Sequence, residues 1–315
     1  MKTMKWLIKR EMWENKGMLV WTPVAIASAI ALLALSALFL GKLDSIFIEG
    51  QAIGTVTIEG AVRARIADTL AQAYLGAGMP VLMVLGLLVF FYCLGALHDE
   101  RRDRSLLFWK SLPVSDATTV LSKVLLAMVV APLITMGITI VLGLLVLVVS
   151  CAILLNHGTN LFGAVLGSPE FYLAPLRLVG LLPVYVLWAL PTVGWLLMVS
   201  SMARSKVFLW AVGTPVITTL LLLWAQKALH FGINAPWFAS HITNRILLGV
   251  VPGSWFAFSR DTVTLSHEGN GPPLPDAIFR TSWETLAGPS VWVGVVAGIA
   301  MIAVAVYMRR RREEV

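Results

Sequence analysis

The chain has 315 residues, of which 58% are hydrophobic and only 13% charged. Soluble domains carry about 25% charged residues, so this composition excludes an ordinary soluble fold. The net charge of +7 comes without a basic folded domain, which argues for contact with anionic lipid headgroups and against nucleic acid as a partner.

Residues 1–17 predict an interfacial helix. At the α-helical period Met1, Met4, Leu7, Ile8 and Met12 share one face, and Lys2, Lys5, Lys9 and Lys16 form an adjacent strip. Glu11 interrupts the apolar face. A solvated basic leader that only enforces topology is the second reading of this segment.

Six apolar stretches follow, at 18–40, 80–97, 124–155, 176–203, 207–225 and 291–308. A helix needs roughly 20 such residues to cross a bilayer. Inside lipid each backbone amide must be satisfied within its own segment, so these stretches predict helices, and nothing alternates as a barrel strand would. The first follows a basic start, but its length exceeds the apolar core of a cleaved signal, so it reads as a retained anchor. The third is long enough to tilt or to continue as an extracytoplasmic helix.

Charge orients these spans. With the N-terminus inside, the segments 1–17, 98–123, 204–206 and 309–315 hold sixteen basic and eight acidic residues; the remaining loops hold eight and nine. That is the positive-inside pattern. Trp21, Trp210, Trp224 and Trp292 fall near span ends, where an indole prefers to sit. The expectation is an all-α integral membrane protein with six transmembrane helices and both ends in the cytoplasm. A bacterial cytoplasmic (inner) membrane is the expected location.

Between the spans, the outer loop 41–79 mixes Gly54-Thr55-Val56-Thr57-Ile58 with a helical-looking stretch, 62–74. The outer segment 226–290 carries Pro236, Trp237, Ile246, Leu247, Leu248, Pro252, Trp255 and Phe256, a pattern of short helices lying on or dipping into the outer leaflet. Residues 261–276 are polar and rich in Gly and Pro, and read as a flexible excursion. With no internal repeat and no low-complexity tract, residues 1–315 read as one membrane domain.

Several chemistries have no residues to carry them. Cys93 and Cys151 lie at opposite ends of different spans, which disfavours a disulfide, and the five histidines have no metal-binding spacing. No serine-nucleophile elbow and no intramembrane protease pair occur, and no G-x-x-x-x-G-K-[ST] loop exists to cradle a nucleotide. The spans lack ionisable residues away from their ends, where ion-coupled transporters place them. Arg177 comes nearest, at an outer span end where it can snorkel. Pro132, Pro183, Pro191 and Pro215 can kink helices beside a translocation path, or be tolerated kinks of an ordinary bundle.

One internal segment stands apart, from His98 to Asp116. Its first half, with Asp99, Glu100, Arg101, Arg102, Asp103 and Arg104, is dense in charge, acids first and bases later, as a helix macrodipole favours. Its second half is apolar: Leu106, Leu107, Phe108, Trp109 and Leu112. Pro113 predicts a helix stop, and Ser115 or Asp116 a cap for the next helix. Exposed aromatic residues rimmed by charge mark a docking surface. An amphipathic helix resting on the inner leaflet is the competing reading. An ion pair at Glu100 or Arg101, if on the surface, is expected to contribute only about 0–1 kcal/mol.

This segment resembles that of the permease subunits of type-2 ATP-binding-cassette exporters. The marker there is an E-R pair after span two, an apolar run, S-L-P-[VI]-S and a helix starting near a Lys. Here these are Glu100-Arg101, the run from Leu106 to Trp109, Ser111-Leu112-Pro113-Val114-Ser115, and Lys123. The basic N-terminal helix, the six spans, the outer segment before span six and the run Arg309 to Arg312 agree with it. The resemblance implies that 98–116 is a cytoplasmic coupling helix seated on a separate ATPase subunit. It makes Glu100, Arg101, Arg102, Arg104, Leu107, Phe108, Trp109, Leu112 and Pro113 the docking contacts. It implies no catalysis and no cofactor in this chain, ATP and Mg being bound by the partner ATPase. A second permease chain, identical or related, and membrane lipids complete the expected partners, and the cargo is an amphipathic or hydrophobic molecule. The segment 226–290 is longer than the compact helical hairpin of that family. A secondary transporter, or a membrane-embedded enzyme or scaffold without an ATPase partner, is the alternative.

Overall fold

The computed structural model of the chain describes residues 2–40, 47–48, 51–52, 61–102, 114–156, 158–230, 232, 234–259 and 275–311. Among these residues six helical stretches are long and apolar enough to cross a membrane: Gly17–Ser36, Arg63–Arg102, Asp116–Asn156, Pro169–Met202, Val207–Ala228 and Pro289–Arg311. They are numbered here as spans one to six. The third, at 41 residues, reaches about 60 Å, twice the hydrocarbon thickness of a bilayer, and so continues well past it.

Two of the spans contain π-helical turns, span one at its start and span three after its first ten residues, and proline explains both. Pro23 has no N–H for the carbonyl of Leu19, and its ring crowds that carbonyl; Pro132 stands in the same relation to Met128. The turns Gly17–Trp21 and Leu126–Val130 widen to i→i+5 bonding around those carbonyls. Pro183 sits in the first turn of Leu182–Met202, just after a break at Leu181 that separates it from the preceding helix Pro169–Gly180. Pro191 and Pro215 lie inside their helices. The fourth apolar stretch is therefore two helices, where the sequence predicts one.

Spans four and six form the most extensive helix pair. Two glycines allow it: a Cβ on Gly194 would lie 2.6 Å from the Gly298 carbonyl oxygen, so any larger residue forces the backbones apart. The main core runs from this pair to spans two and three, around Leu85, Val89, Tyr185, Trp188, Leu196 and Leu197. The N-terminal helix Lys2–Glu14 lays Ile8 and Met12 against the same core. Trp21, Trp210, Trp224 and Trp292 are all exposed, as indoles facing lipid would be.

Both described chain ends, the start of span three and the link between spans four and five lie at one end of the bundle. At the opposite end a second small core forms around Ile66, Ala71, Tyr74, Leu147, Cys151 and Leu161. It joins the far end of span three to the helices Ala61–Ala73 and Phe162–Gly167. A two-residue antiparallel pairing, Phe47–Ile48 with Gln51–Ala52, precedes it. The stretch 54–58 lies outside the described residues.

The segment between spans five and six folds back into the bundle. Helices Ala235–Phe238 and Asn244–Leu248, joined by the π turn Ala239–Thr243, descend; Ser254–Phe258 returns. Depth is fixed by its contacts with residues halfway along the spans. The Thr192 hydroxyl donates to the Arg245 carbonyl at 2.8 Å, and Tyr185 Oη to the Val250 carbonyl at 3.1 Å. Thr219 and Thr243 share a 2.6 Å hydroxyl bond. A hairpin is thus present within the long segment, and it dips rather than lies flat. Residues 275–276 belong to a helix, Pro275–Glu284, not to a flexible excursion; 260–274 lie outside the described residues. Arg177 does not snorkel freely: it pairs with Glu170 and with Asp276 of that helix, at 3.2 Å from the latter.

Candidate functional site: a buried charge relay

The start of span three is set by its cap. Ser115 has extended backbone (φ −72°, ψ 147°) and its hydroxyl accepts from the Thr118 amide at 3.2 Å, so the helix begins at Asp116. Lys123 then falls two turns in, among the buried residues Thr119, Val120, Ser122 and Val124. Its side chain is 2% exposed, a position an ammonium tolerates only with partners.

It has two. Lys123 Nζ lies 2.8 Å from Glu11 Oε1 and 2.9 Å from Glu100 Oε1. Glu11 Oε2 also accepts from the buried Tyr92 hydroxyl at 3.2 Å. Glu100 extends the chain of charges: its Oε2 meets Arg309 Nη1 at 2.7 Å, and Arg309 Nε meets Asp116 Oδ1 at 2.9 Å. The relay Tyr92–Glu11–Lys123–Glu100–Arg309–Asp116 joins the N-terminal helix, spans two, three and six, and the short helix His98–Arg102.

Glu11, which interrupts the apolar face in the sequence, is 3% exposed and is the one buried residue among those of its helix with described side chains. The defect in amphipathicity is the contact itself. Glu100 is no open surface charge, its side chain being 10% exposed, so the expectation of a weak surface pair is overturned: two cations flank it. Three carboxylates face two cations here. Removing Lys123, the cation that Glu11 and Glu100 share, strands the Glu11 carboxylate, a kind of loss that in buried pairs costs about 3–5 kcal/mol.

Arg101 ties the same short helix to span four. It donates to the carbonyls of Leu97, Ser200 and Ala203, the last at 3.1 Å. The Ser200 hydroxyl in turn accepts from the amides of Leu97 and His98, at 3.2 and 3.0 Å. Arg102 is exposed. Of the docking contacts expected from sequence, Glu100 and Arg101 are therefore built into the bundle. Arg104, Leu107, Phe108, Trp109, Leu112 and Pro113 lie outside the described residues.

Sequence reasoning missed the roles of Glu11, Tyr92 and Arg309. The signal for Glu11 was in plain view, a lone carboxylate on an apolar face. Nothing in the sequence pairs it with a lysine 112 positions away.

A third buried cation sits on the dipping hairpin. Arg245 lies 4.5 Å from the Trp188 ring centroid and donates to the carbonyls of Ser290 and Val291, at 2.6 and 3.3 Å. Gly294 makes room for it. Among the described residues, no three His, Cys, Asp or Glu side chains come together as a metal site.

Six long apolar helices make this an all-α, multi-pass membrane protein. Comparison with family models, with curated proteins and with solved structures finds no match to the chain.

Proposed function

We propose that the chain is the membrane-spanning permease subunit of an ATP-driven exporter of the type-2 ATP-binding-cassette kind. In this reading the relay end of the bundle faces the cytoplasm of a bacterial cell. Residues 98–116 seat on a separate ATPase that binds ATP and Mg, and a second permease chain, identical or related, completes the pathway. The cargo is an amphipathic or hydrophobic molecule such as a lipid, peptide or drug.

The observation that carries the reading is the placement of Glu100. It sits at the base of the 98–116 segment and is bonded to both span three and span six. A push on that segment is delivered directly to two spans and, through Lys123, to the N-terminal helix. A bundle built on such a junction can switch between two packings when the segment moves. A secondary transporter would instead need a titratable group at membrane depth. Arg245 is the one described cation on the dipping hairpin, and its guanidinium is engaged by span six.

The test is co-purification. Phe108→Ala with Trp109→Ala should leave the chain inserted but strip the ATPase from it, since truncated aromatic anchors often cost on the order of 2 kcal/mol or more each. Retention of the ATPase together with unchanged transport would refute the docking role.

A further inference from the structure

At the same end of the bundle as the relay lies an open depression of about 460 Å³ between the helix His98–Arg102 and the link between spans four and five. It is lined by His98, Arg101, Arg102, Arg204, Ser205 and Lys206, with Ala203 as its apolar part. Four of those side chains are permanent cations and a fifth is an imidazole. Among the described residues no carboxylate pairs with Arg102, Arg204 or Lys206, and Asp99 bonds His98 at 3.2 Å.

Two further features aim positive potential into the space. The 22-residue helix Val207–Ala228 starts here, and no side chain caps its first amides. Lys206, the residue at its cap position, is held in the left-handed region at φ 51°, one of only two described non-glycine residues with positive φ. That conformation is unfavourable for lysine by steric contact of its Cβ, and the fold keeps it. Arg101, meanwhile, is fixed by the carbonyls of Ser200 and Ala203, so one wall is rigid.

We infer that this basic depression binds a phosphate-bearing head group, that of an anionic phospholipid of the leaflet on the relay side. The depression lies at the ends of spans two, four and five, where apolar sequence gives way to charge, which is headgroup depth. Its cations Arg102, Arg204 and Lys206 are exposed, so a head group of the surrounding leaflet can reach them directly. The assignment of this leaflet as cytoplasmic rests on the function proposed above; the binding itself does not.

The experiment uses the full chain alone, without ATPase. The protein is reconstituted in nanodiscs of phosphatidylcholine mixed with phosphatidylglycerol, and lipids retained after gentle release are identified by native mass spectrometry. Retention of phosphatidylglycerol over phosphatidylcholine is expected, and Arg204→Gln with Lys206→Asn should lower it about tenfold; asparagine tolerates the left-handed backbone. Arg310→Gln, which removes an exposed cation at the same end outside the depression, should leave retention unchanged. Glycerol 3-phosphate at matched ionic strength separates the sources. If it binds and phosphatidylglycerol does not, the ligand is a soluble phosphate and the lipid assignment fails. Equal loss in both variants, or no loss in the depression variant, would overturn the site. A missing ATPase partner would sink the exporter reading and leave this result standing.

Discussion

Glu11 and Lys123, 112 positions apart in the chain, meet at 2.8 Å in a place where both are almost wholly buried. The pairing makes the N-terminal helix a structural member of the bundle, not a leader laid beside it.

Lys123→Met should therefore be the most damaging substitution at the relay. It keeps the volume but leaves Glu11 and Glu100 without their shared cation, at an expected cost of about 3–5 kcal/mol. Thermal unfolding of the purified chain in nanodiscs measures it. Adding Glu11→Gln to the same chain should recover part of the loss, because one stranded carboxylate is then gone. Independent, additive losses would mean that the two residues do not act as a pair.

Glu100→Gln should behave differently. Arg309 keeps Asp116 and Lys123 keeps Glu11, so each cation retains one carboxylate and the bundle should stay folded. What is lost is the tie between the 98–116 segment and two spans. The expected result, with the ATPase present, is ATP hydrolysis with little export, since a small energy change at a bistable junction shifts its populations several-fold. ATPase rate and efflux read on one reconstituted sample decide it; tight coupling in the variant would refute the junction.

Orientation can be read chemically. Cysteines at Ser45 and Ser266, in a background where Cys93 and Cys151 are replaced, should react with an impermeant maleimide on intact spheroplasts. Both native thiols are buried, so their replacement removes background without exposing a surface. Labelling only after lysis would invert the bundle and with it the proposed function.

Gly294→Ala tests the dipping hairpin. A Cβ there collides with the Arg245 guanidinium, which must withdraw from the Ser290 and Val291 carbonyls. Overpacking of this kind costs about 1–3 kcal/mol. Gly213→Ala, on a helix face where a Cβ meets nothing, is the control and should be neutral. Equal unfolding temperatures for the two would show that the guanidinium is not locked.

The spans were legible because lipid leaves a helix no alternative, and their apolar lengths could be counted. The Ser115 cap was legible because capping is local. The relay was not, because its bonds connect residues 23 to 209 positions apart and depend on how helices meet. Helical period identified Glu11 as a flaw in a face; only packing turns the flaw into a partner for Lys123. Arg245 was hidden for another reason: its segment reads as short helices lying on or dipping into the outer leaflet, and the contacts that bury its guanidinium come only from the fold-back onto span six.

Arg309 belongs to span six, which follows the other described spans in chain order, so its charge joins the relay after theirs. Spans one to three can bring Glu11, Glu100 and Lys123 together as soon as they are inserted, but that cluster carries two negative charges against one positive. It stays unbalanced, with Asp116 unmatched beside it, until span six arrives and delivers its guanidinium. The docking of span six is thereby felt at the end where the N-terminal helix packs. Without span six in place, Glu100 and Asp116 have no guanidinium at that point.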